Sequence, residues 1–328
     1  MLCVMFMWSP PHVPPTVHVT STLRTARRRS HERQAEDERK RTQVDEAVAT
    51  PVSRRREVGS ASARSLLLTI LGEFALPRDE PVWTATVLDA VGMFDVEQRA
   101  SRQALARTRG EGLLASERHG RRTAWALTAQ GSELLAEGRT RIYGFMRHPH
   151  AWDGQWLVLT VSIPETQRKL RHRLRTQLTW LGLGTPSSGL WVTPDATKTA
   201  EVNRVVAGLG LEQQSFAWVG PSGGIGDEGR LVEAAWDLAD VEKRYLAFLD
   251  DFDARRADTA REAFVAQIDL VQEWRRFPFL DPDLPRELLD HDWPGPRAAT
   301  VFHERHAQWH RQAQREWDRL QSSASGRT

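Results

Sequence analysis

The sequence predicts a multidomain α+β protein with an N-terminal winged helix-turn-helix, a middle ferredoxin-like α/β domain and a helical C-terminal domain. Three observations carry that prediction. Beyond Ala61, apolar residues recur at helical spacing three times and then alternate around a glycine turn. From Trp152 to Gly220 strand-like and helix-like runs alternate, which is the rhythm of a small α/β unit. After the glycine-rich "GPSGGIGDEG" the pattern is helical almost to the end. The boundaries read from these changes are 1–60, 61–145, 150–222 and 228–322.

The chain has 328 residues, enough for two or three domains of ordinary size. Its formal charge of +2 is nearly balanced, so any nucleic-acid footprint has to be a local patch. Cys3 is the single cysteine, which excludes an intrachain disulfide and a cysteine zinc site and leads to the expectation of a reducing cytoplasm. "MLCVMFMWSPPHVPP" has no basic n-region and no small-residue cleavage site, so an export signal is not expected. No run approaches the roughly 20 apolar residues of a membrane span, so no membrane partner is expected either. Residues 1–60 read as a disordered basic and mixed-charge tail. After Trp8 they lack the large apolar residues needed to offset ordering entropy. The clusters Arg27–Arg29 and Arg54–Arg56 read as solvated rather than as phosphate contacts.

In order along the chain, "ARSLLLTILGEFAL" is a first helix ending near Pro77. "VWTATVLDAVGMF" is a second, with Val82, Trp83, Val87, Leu88 and Val91 at helical spacing. "DVEQRASRQALARTRG" is a third, and "GLLASERHGRRTAWAL" is a two-stranded hairpin with Gly120 in its turn. "QWLVLTVSI", "GLWVTP" and "QSFAWVG" are strands of the middle domain, separated by helices in "PETQRKLRHRLRTQLTWLGLG" and "TKTAEVNRVVAGLG". Helices over 236–252, 256–277 and 298–320 follow, with "FPFLDPDLPRELLDHDWPGP" between the last two.

The third helix carries the chemistry. Asp95 as N-cap with Gln98 three residues on is a capping-box variant that fixes where the helix begins. Steps of 100° place Ala100, Ala104, Leu105 and Thr108 on one side, and Arg99, Arg102, Gln103 and Ala106 on the other. Arginine and glutamine have the forked donors that match guanine and adenine edges in a major groove, so Arg99, Arg102 and Gln103 are the candidate base readers, with Gln98 a further DNA-binding candidate. Arg107 and Arg109 lie in the C-terminal half and are candidates for phosphate, as are Arg118, His119, Arg121 and Arg122 at the hairpin tip. The partner is then a double-stranded operator. A homodimer is expected, because one such unit buries too little surface for useful specificity.

The order of "SLLLTILGEF", "VWTATVLDAVGMFDVEQRASRQALARTRGEGLL", "GRRTAWALTAQG", "WDGQWLVLTVSIPE", "LRTQLTWLGLG", "GLWVTP" and "WRRFPFLDPDLPRELLDHDWPG" resembles the PaaX family, the phenylacetic acid degradation operon repressors. The resemblance spans residues 62 to 320 or so. It implies a dimeric repressor with a winged helix, a Cas2-like middle domain and a helical C-terminal domain. It also implies release from an aromatic-acid operon by an aryl-acyl-CoA such as phenylacetyl-CoA.

Arg275 and Arg276, beside Phe277 and Phe279, are candidates for the effector's phosphates, since arginine forks suit phosphate. The plainer reading pairs them with Asp281 and Asp283. Trp180 and Trp191 are candidates to wall an apolar effector pocket, with core packing as the default. "GPSGG" at 220–224 matches the nucleophile-elbow pattern, but "GIGDEG" is loop-like where that chemistry needs a helix. His303, His306 and His310 share a helix face with no carboxylate clearly placed to support them as metal ligands, and read as exposed or partner-facing. No catalytic residue, metal site or cofactor is expected. Two rivals stand beside the regulator: an enzyme with a nuclease-like or acyl-CoA-handling middle domain, and an interaction module using the same helix against protein.

Overall fold

A computed structural model of the chain describes residues 62–147 and 151–326, and the expected tail lies outside the described residues. Helix α1 (Ala63–Ile70) starts where Ser62 Oγ accepts from the Ser65 amide at 3.2 Å. It runs on through a π-turn over Leu71–Ala75, in which the Leu76 amide donates to Leu71 O, five residues back, at 2.8 Å. Helices α2 (Thr84–Gly92) and α3 (Gln98–Gly110) pack on it and bury Leu67, Ile70, Phe74, Val87, Val91, Ala104 and Leu105. Strands β2 (Leu114–His119) and β3 (Arg122–Leu127) form the expected hairpin, and Gly120 holds the φ of 62° that its two-residue turn needs.

One element departs from the expectation here. Val82 and Trp83 are not helical but form a short strand, β1, antiparallel to β3, with Val82 opposite Trp125. Their apolar spacing fits a helix, yet both are good strand formers, and pairing with the open edge of β3 decides between the two. Helix α4 (Ala129–Gly144) leaves this unit after a Thr128 cap. It crosses Leu113 so closely that a side chain at Gly131 would meet Leu113 O at 2.1 Å.

The middle region has the order β4 (Gln155–Val161), α5 (Arg168–Trp180), β5 (Gly184–Ser187), β6 (Leu190–Thr193), α6 (Thr199–Gly208) and β7 (Ser215–Pro221). The sheet runs β5-β6-β4-β7 with every pairing antiparallel, so two strand-helix-strand units interleave. Alternation along β4 sends Leu157, Leu159 and Val161 against α5 and α6, and Trp156 and Val158 to the other face. That second face is covered by α7 (Glu228–Ala235) together with Leu284 and Leu288. Sequence reading passes over β5 and α7. β5 is an edge strand, where Pro186 is tolerated, and α7 makes only two turns, starting at the end of a glycine-rich stretch.

Helices α8 (Leu238–Phe252), α9 (Ala260–Trp274) and α10 (Gly295–Gly326) enclose an aromatic core. In it Tyr245 stacks on Phe277 at 4.1 Å and Trp274 on Phe302 at 4.8 Å. The far half of α10 leaves this core and enters that of the N-terminal unit. Phe74 of α1 stacks on Trp317 at 5.3 Å and on Phe264 of α9 at 4.8 Å, with Ala313 and Leu320 alongside. The first and third stretches of sequence therefore share one hydrophobic core.

Candidate nucleic-acid interface

Helix α3 divides as its spacing indicates. Ala104, Leu105 and Thr108 are buried, whereas Gln98, Arg99, Arg102, Gln103, Ala106, Arg107 and Arg109 are exposed. Ser101 is buried as well, its hydroxyl donating to Glu97 O at 3.3 Å, while Ala100 is only half-buried. The helix start differs from the expected capping box. Glu97 occupies the cap without a side-chain bond, and Asp95 stands in the turn before it at φ 57°. Aspartate tolerates that left-handed geometry, and the turn needs it to reverse the chain between α2 and α3.

At the hairpin tip, Arg118, His119 and Arg121 are exposed. Arg118 Nε donates to Gly120 O at 3.0 Å, and the His119 ring meets the Trp83 indole edge-on at 5.5 Å. Arg122 is different. Its guanidinium lies 4.5 Å over the Trp83 ring and donates to the carbonyls of Ala324, at 3.4 Å, and Ser325. A cation at the C-terminus of α10 complements the helix dipole, so Arg122 fastens the hairpin to α10 instead of joining the exposed tip. Gln321 completes this clamp, since its Oε1 accepts from Thr86 Oγ1 at 2.7 Å and its Nε2 donates to Pro81 O at 3.2 Å.

Behind the exposed face lies a buried polar node that sequence reading does not single out. Glu73, on the π-turn and only 5% exposed, accepts from Tyr143 OH at 2.6 Å, Gln267 Nε2 at 2.8 Å and His306 Nε2 at 2.8 Å. Those groups come from α4, α9 and α10 respectively. Burial pushes the Glu73 carboxyl up, but the hydrogen bond and charge of His306, with Tyr143 and Gln267, hold it below the ordinary carboxylate value. Burial and the Glu73 charge raise the Tyr143 phenol well above its usual value. The available signal was a single carboxylate inside the apolar run "LLLTILGEFAL".

The three histidines of α10 do share a face, but it is turned inward rather than exposed. All are part-buried, and His306 stacks on His310 at 5.4 Å. Among the described residues no group of His, Cys, Asp and Glu is placed to hold a metal ion. Burial depresses the His303 imidazole first, then Arg147 and His306. The His310 imidazole is depressed by burial and His306, against the opposing pull of Glu73, with Arg139 and Arg78 adding to the depression. The folded state thus favours both rings neutral. That stability is fully present above the ordinary histidine value of about 6.5 and is lost as pH falls below it. Asp281, pushed up to about 6 by burial, works in the opposite sense, because its burial cost is relieved as pH falls through that value. The His310→Gln variant is therefore expected to show a flatter melting temperature than the parent between pH 7 and 5. Parallel curves in a thermal-shift series would refute the assignment.

Three family models match the chain: PaaX-like protein over residues 62–131, the PaaX protein central Cas2-like domain over 149–232, and the PaaX-like protein C-terminal domain over 236–319. The chain belongs to the PaaX family. The transcriptional repressor PaaX of Escherichia coli (strain K12) is 27% identical over 251 residues, which is 73% of this chain and 78% of that protein. An uncharacterized protein from Mycobacterium tuberculosis has a similar fold, with a TM-score of 0.57, 22% identity, and coverage of 79% of this chain and 99% of that one. The middle sheet is accordingly Cas2-like, set between an N-terminal PaaX segment and a helical C-terminal domain. Tyr143 lies on α4 in the stretch between the first two matched segments, which places one arm of the Glu73 node on the connection itself.

The expected effector residues of this PaaX-family chain do not assemble into one pocket. Trp191 is 4% exposed in the core of the Cas2-like domain. Trp180 is 60% exposed and packs against Phe279, tilted by 32° at 4.5 Å, with Arg141 above the Phe279 ring at 5.2 Å. Position along the elements separates the two tryptophans, since Trp191 faces inward on β6 and Trp180 ends α5. Asp281 does not pair the arginines, because its carboxylate takes the Tyr245 hydroxyl at 2.7 Å. Arg276 pairs instead with Glu273 at 2.8 Å. Ser222 follows β7 in a loop, and the next helix starts only at Glu228, so the strand-to-helix turn of a nucleophile elbow is not formed there.

Among the described residues no helix is long and apolar enough to cross a membrane.

Proposed function

We propose that the chain is a winged helix-turn-helix transcriptional repressor that binds an operator as a dimer and is released by an aryl-acyl-CoA of the phenylacetyl-CoA kind. The observation that carries this is the exposed Arg99, Arg102 and Gln103 face of α3, backed by buried Ala104, Leu105 and Thr108. In this reading α2 and α3 are the helix-turn-helix, β2 and β3 the wing, and Gln98, Arg99, Arg102 and Gln103 read base edges. Arg107, Arg109, Arg118, His119 and Arg121 hold the phosphate backbone, while Arg122 holds the wing to α10. The printed name of the Escherichia coli relative supports repression. The domains of this reading are 61–145, 150–222 and 228–322.

A second copy is supported by the outer strand of the middle sheet. β7 bears no charge and exposes Phe216, Trp218 and Val219 at 66%, 57% and 51%, an apolar edge that water alone does not favour. Arg275 and Arg276, with exposed Trp180 and Phe279, are the residues proposed to meet the effector.

A mobility-shift assay on the DNA upstream of the gene tests the reading. Arg102→Ala is expected to lose about 1–3 kcal/mol of discrimination between operator and mismatched sites. Arg121→Ala is expected to weaken binding to all sequences alike and to reduce the salt slope by about one unit. Identical shifts on operator and random DNA at low salt would refute the function, and identical behaviour of the two variants would refute the division between readers and holders.

A further inference from the structure

Where the start of α1 meets the end of α9, several hydrogen-bond donors face no acceptor among the described residues. Gln272 is 8% exposed; its Oε1 accepts from Ser65 Oγ at 2.9 Å, and its buried Nε2 has no partner among them. Arg64, next to Ser65, gives one guanidinium nitrogen to Glu111, but its buried Nε has no partner among them either. Arg275 follows Gln272 by three residues, on the same face of the helix end. Among the described residues it has no side-chain hydrogen bond or ion pair. Burial lowers its proton affinity, and so do the neighbouring charges of Arg276 and Arg64, against the pull of Glu273. Glu111 and Glu273 are the carboxylates at this place, and each already holds an arginine, Arg64 and Arg276 respectively.

A buried amide donor flanked on its two helices by guanidinium groups with unused N–H bonds, their charges opposing one another, favours an acceptor that carries negative charge. We propose that Arg64, Gln272 and Arg275 bind a small oxyanion of the phosphate class, with Arg276 at the rim. Gln272 is fixed from below by Ser65, while the two long arginine side chains are part-exposed and can part to admit the ligand. The occupant is the phosphate of a small molecule, because the amide donor lies beneath the surface, beyond the reach of a duplex backbone. Arg64 is also the partner of Glu111, which caps the C-terminal end of α3. An anion that draws Arg64 toward Arg275 therefore loosens the tie between α1 and the end of the proposed reading helix. This deepens the effector reading by adding Arg64 and Gln272 to it, and rests on that reading for its regulatory consequence.

The test uses the full chain and inorganic phosphate, so that failure of the site is distinguished from failure of the aryl-acyl-CoA identity. At fixed ionic strength, exchanging chloride for phosphate is expected to raise the melting temperature of the parent. Arg275→Gln and Gln272→Leu should lose that rise, while Arg204→Gln, at an exposed site on α6, should keep it. Equal phosphate responses in the parent and in Arg275→Gln overturn the proposal. A fall in operator affinity of Arg275→Gln in phosphate-free buffer assigns the donors to the DNA backbone, and overturns it as a small-molecule site.

Discussion

Replacing Trp317 by alanine is expected to destabilise the protein by about 3–5 kcal/mol, the usual cost of emptying a large aromatic site in a packed core. Trp317 is 1% exposed and lies face to face with Phe74, at 5.3 Å and 19°. It is near-parallel to Phe264 at 6.5 Å. Its neighbours come from α1, which carries the N-terminal unit, and from α9, which belongs to the C-terminal helices. The cavity would thus open at the seam between them, where neither side can close it without the other moving. In a chain of this size the loss corresponds to a fall in melting temperature on the order of 10 °C. Trp317→Phe keeps ring contact with Phe74 and is expected to retain most of the stability. A loss below about 1 kcal/mol for the alanine variant would show that the shared core is not a structural seam. Operator affinity should fall with Trp317→Ala because Trp317 shares a core with Ala104 and Leu105 of α3, and because α10 also holds the β2–β3 hairpin through Arg122 and α2 through Gln321.

His306→Leu is expected to cost about 3 kcal/mol at pH 7, because it leaves the Glu73 carboxylate buried without its cationic or hydrogen-bonding partner. In the parent the Glu73 carboxyl is held below its ordinary value, so its contribution is present above that value and is lost as pH falls through the folded one. In the variant the upward push of burial is opposed only by Tyr143 and Gln267. The deficit is therefore expected to shrink as pH falls from 7 toward 5, where the stranded carboxyl takes up a proton. Denaturant midpoints at the two pH values measure this. The double variant His306→Leu with Glu73→Gln should recover much of the loss, since an amide can share hydrogen bonds with Tyr143 and Gln267 without a charge to bury. If the double variant is no better than the single one, the node is not held by the Glu73–His306 pair.

Much of the local structure was legible. The two faces of α3 follow from spacing alone, because a 3.6-residue period leaves Arg99, Arg102 and Gln103 opposite Ala104, Leu105 and Thr108. The hairpin follows from Gly120 and the strands of the middle sheet from their apolar runs, whereas α9 begins later than the expected 256, at a capping box of Thr259 and Glu262. The three short elements were not legible. β1 looks helical by periodicity, and β5 and α7 are too short or too rich in glycine and proline to carry a signal of their own.

Residues 62–320 by themselves determined the order of the longer elements, the exposed face of α3 and the family resemblance, because each of these is written in nearby positions along one chain. Only the tertiary structure decided what lies behind that face. It brought Glu73, Tyr143, Gln267 and His306 to one buried point from four elements, and set Ser65 against Gln272 across more than 200 residues of chain. It also turned Arg122 from the hairpin tip to the end of α10. Spacing reports only which side of a helix or strand a residue faces. Which partner waits on that side is set by contacts far apart in sequence, through burial and charge that no short window contains.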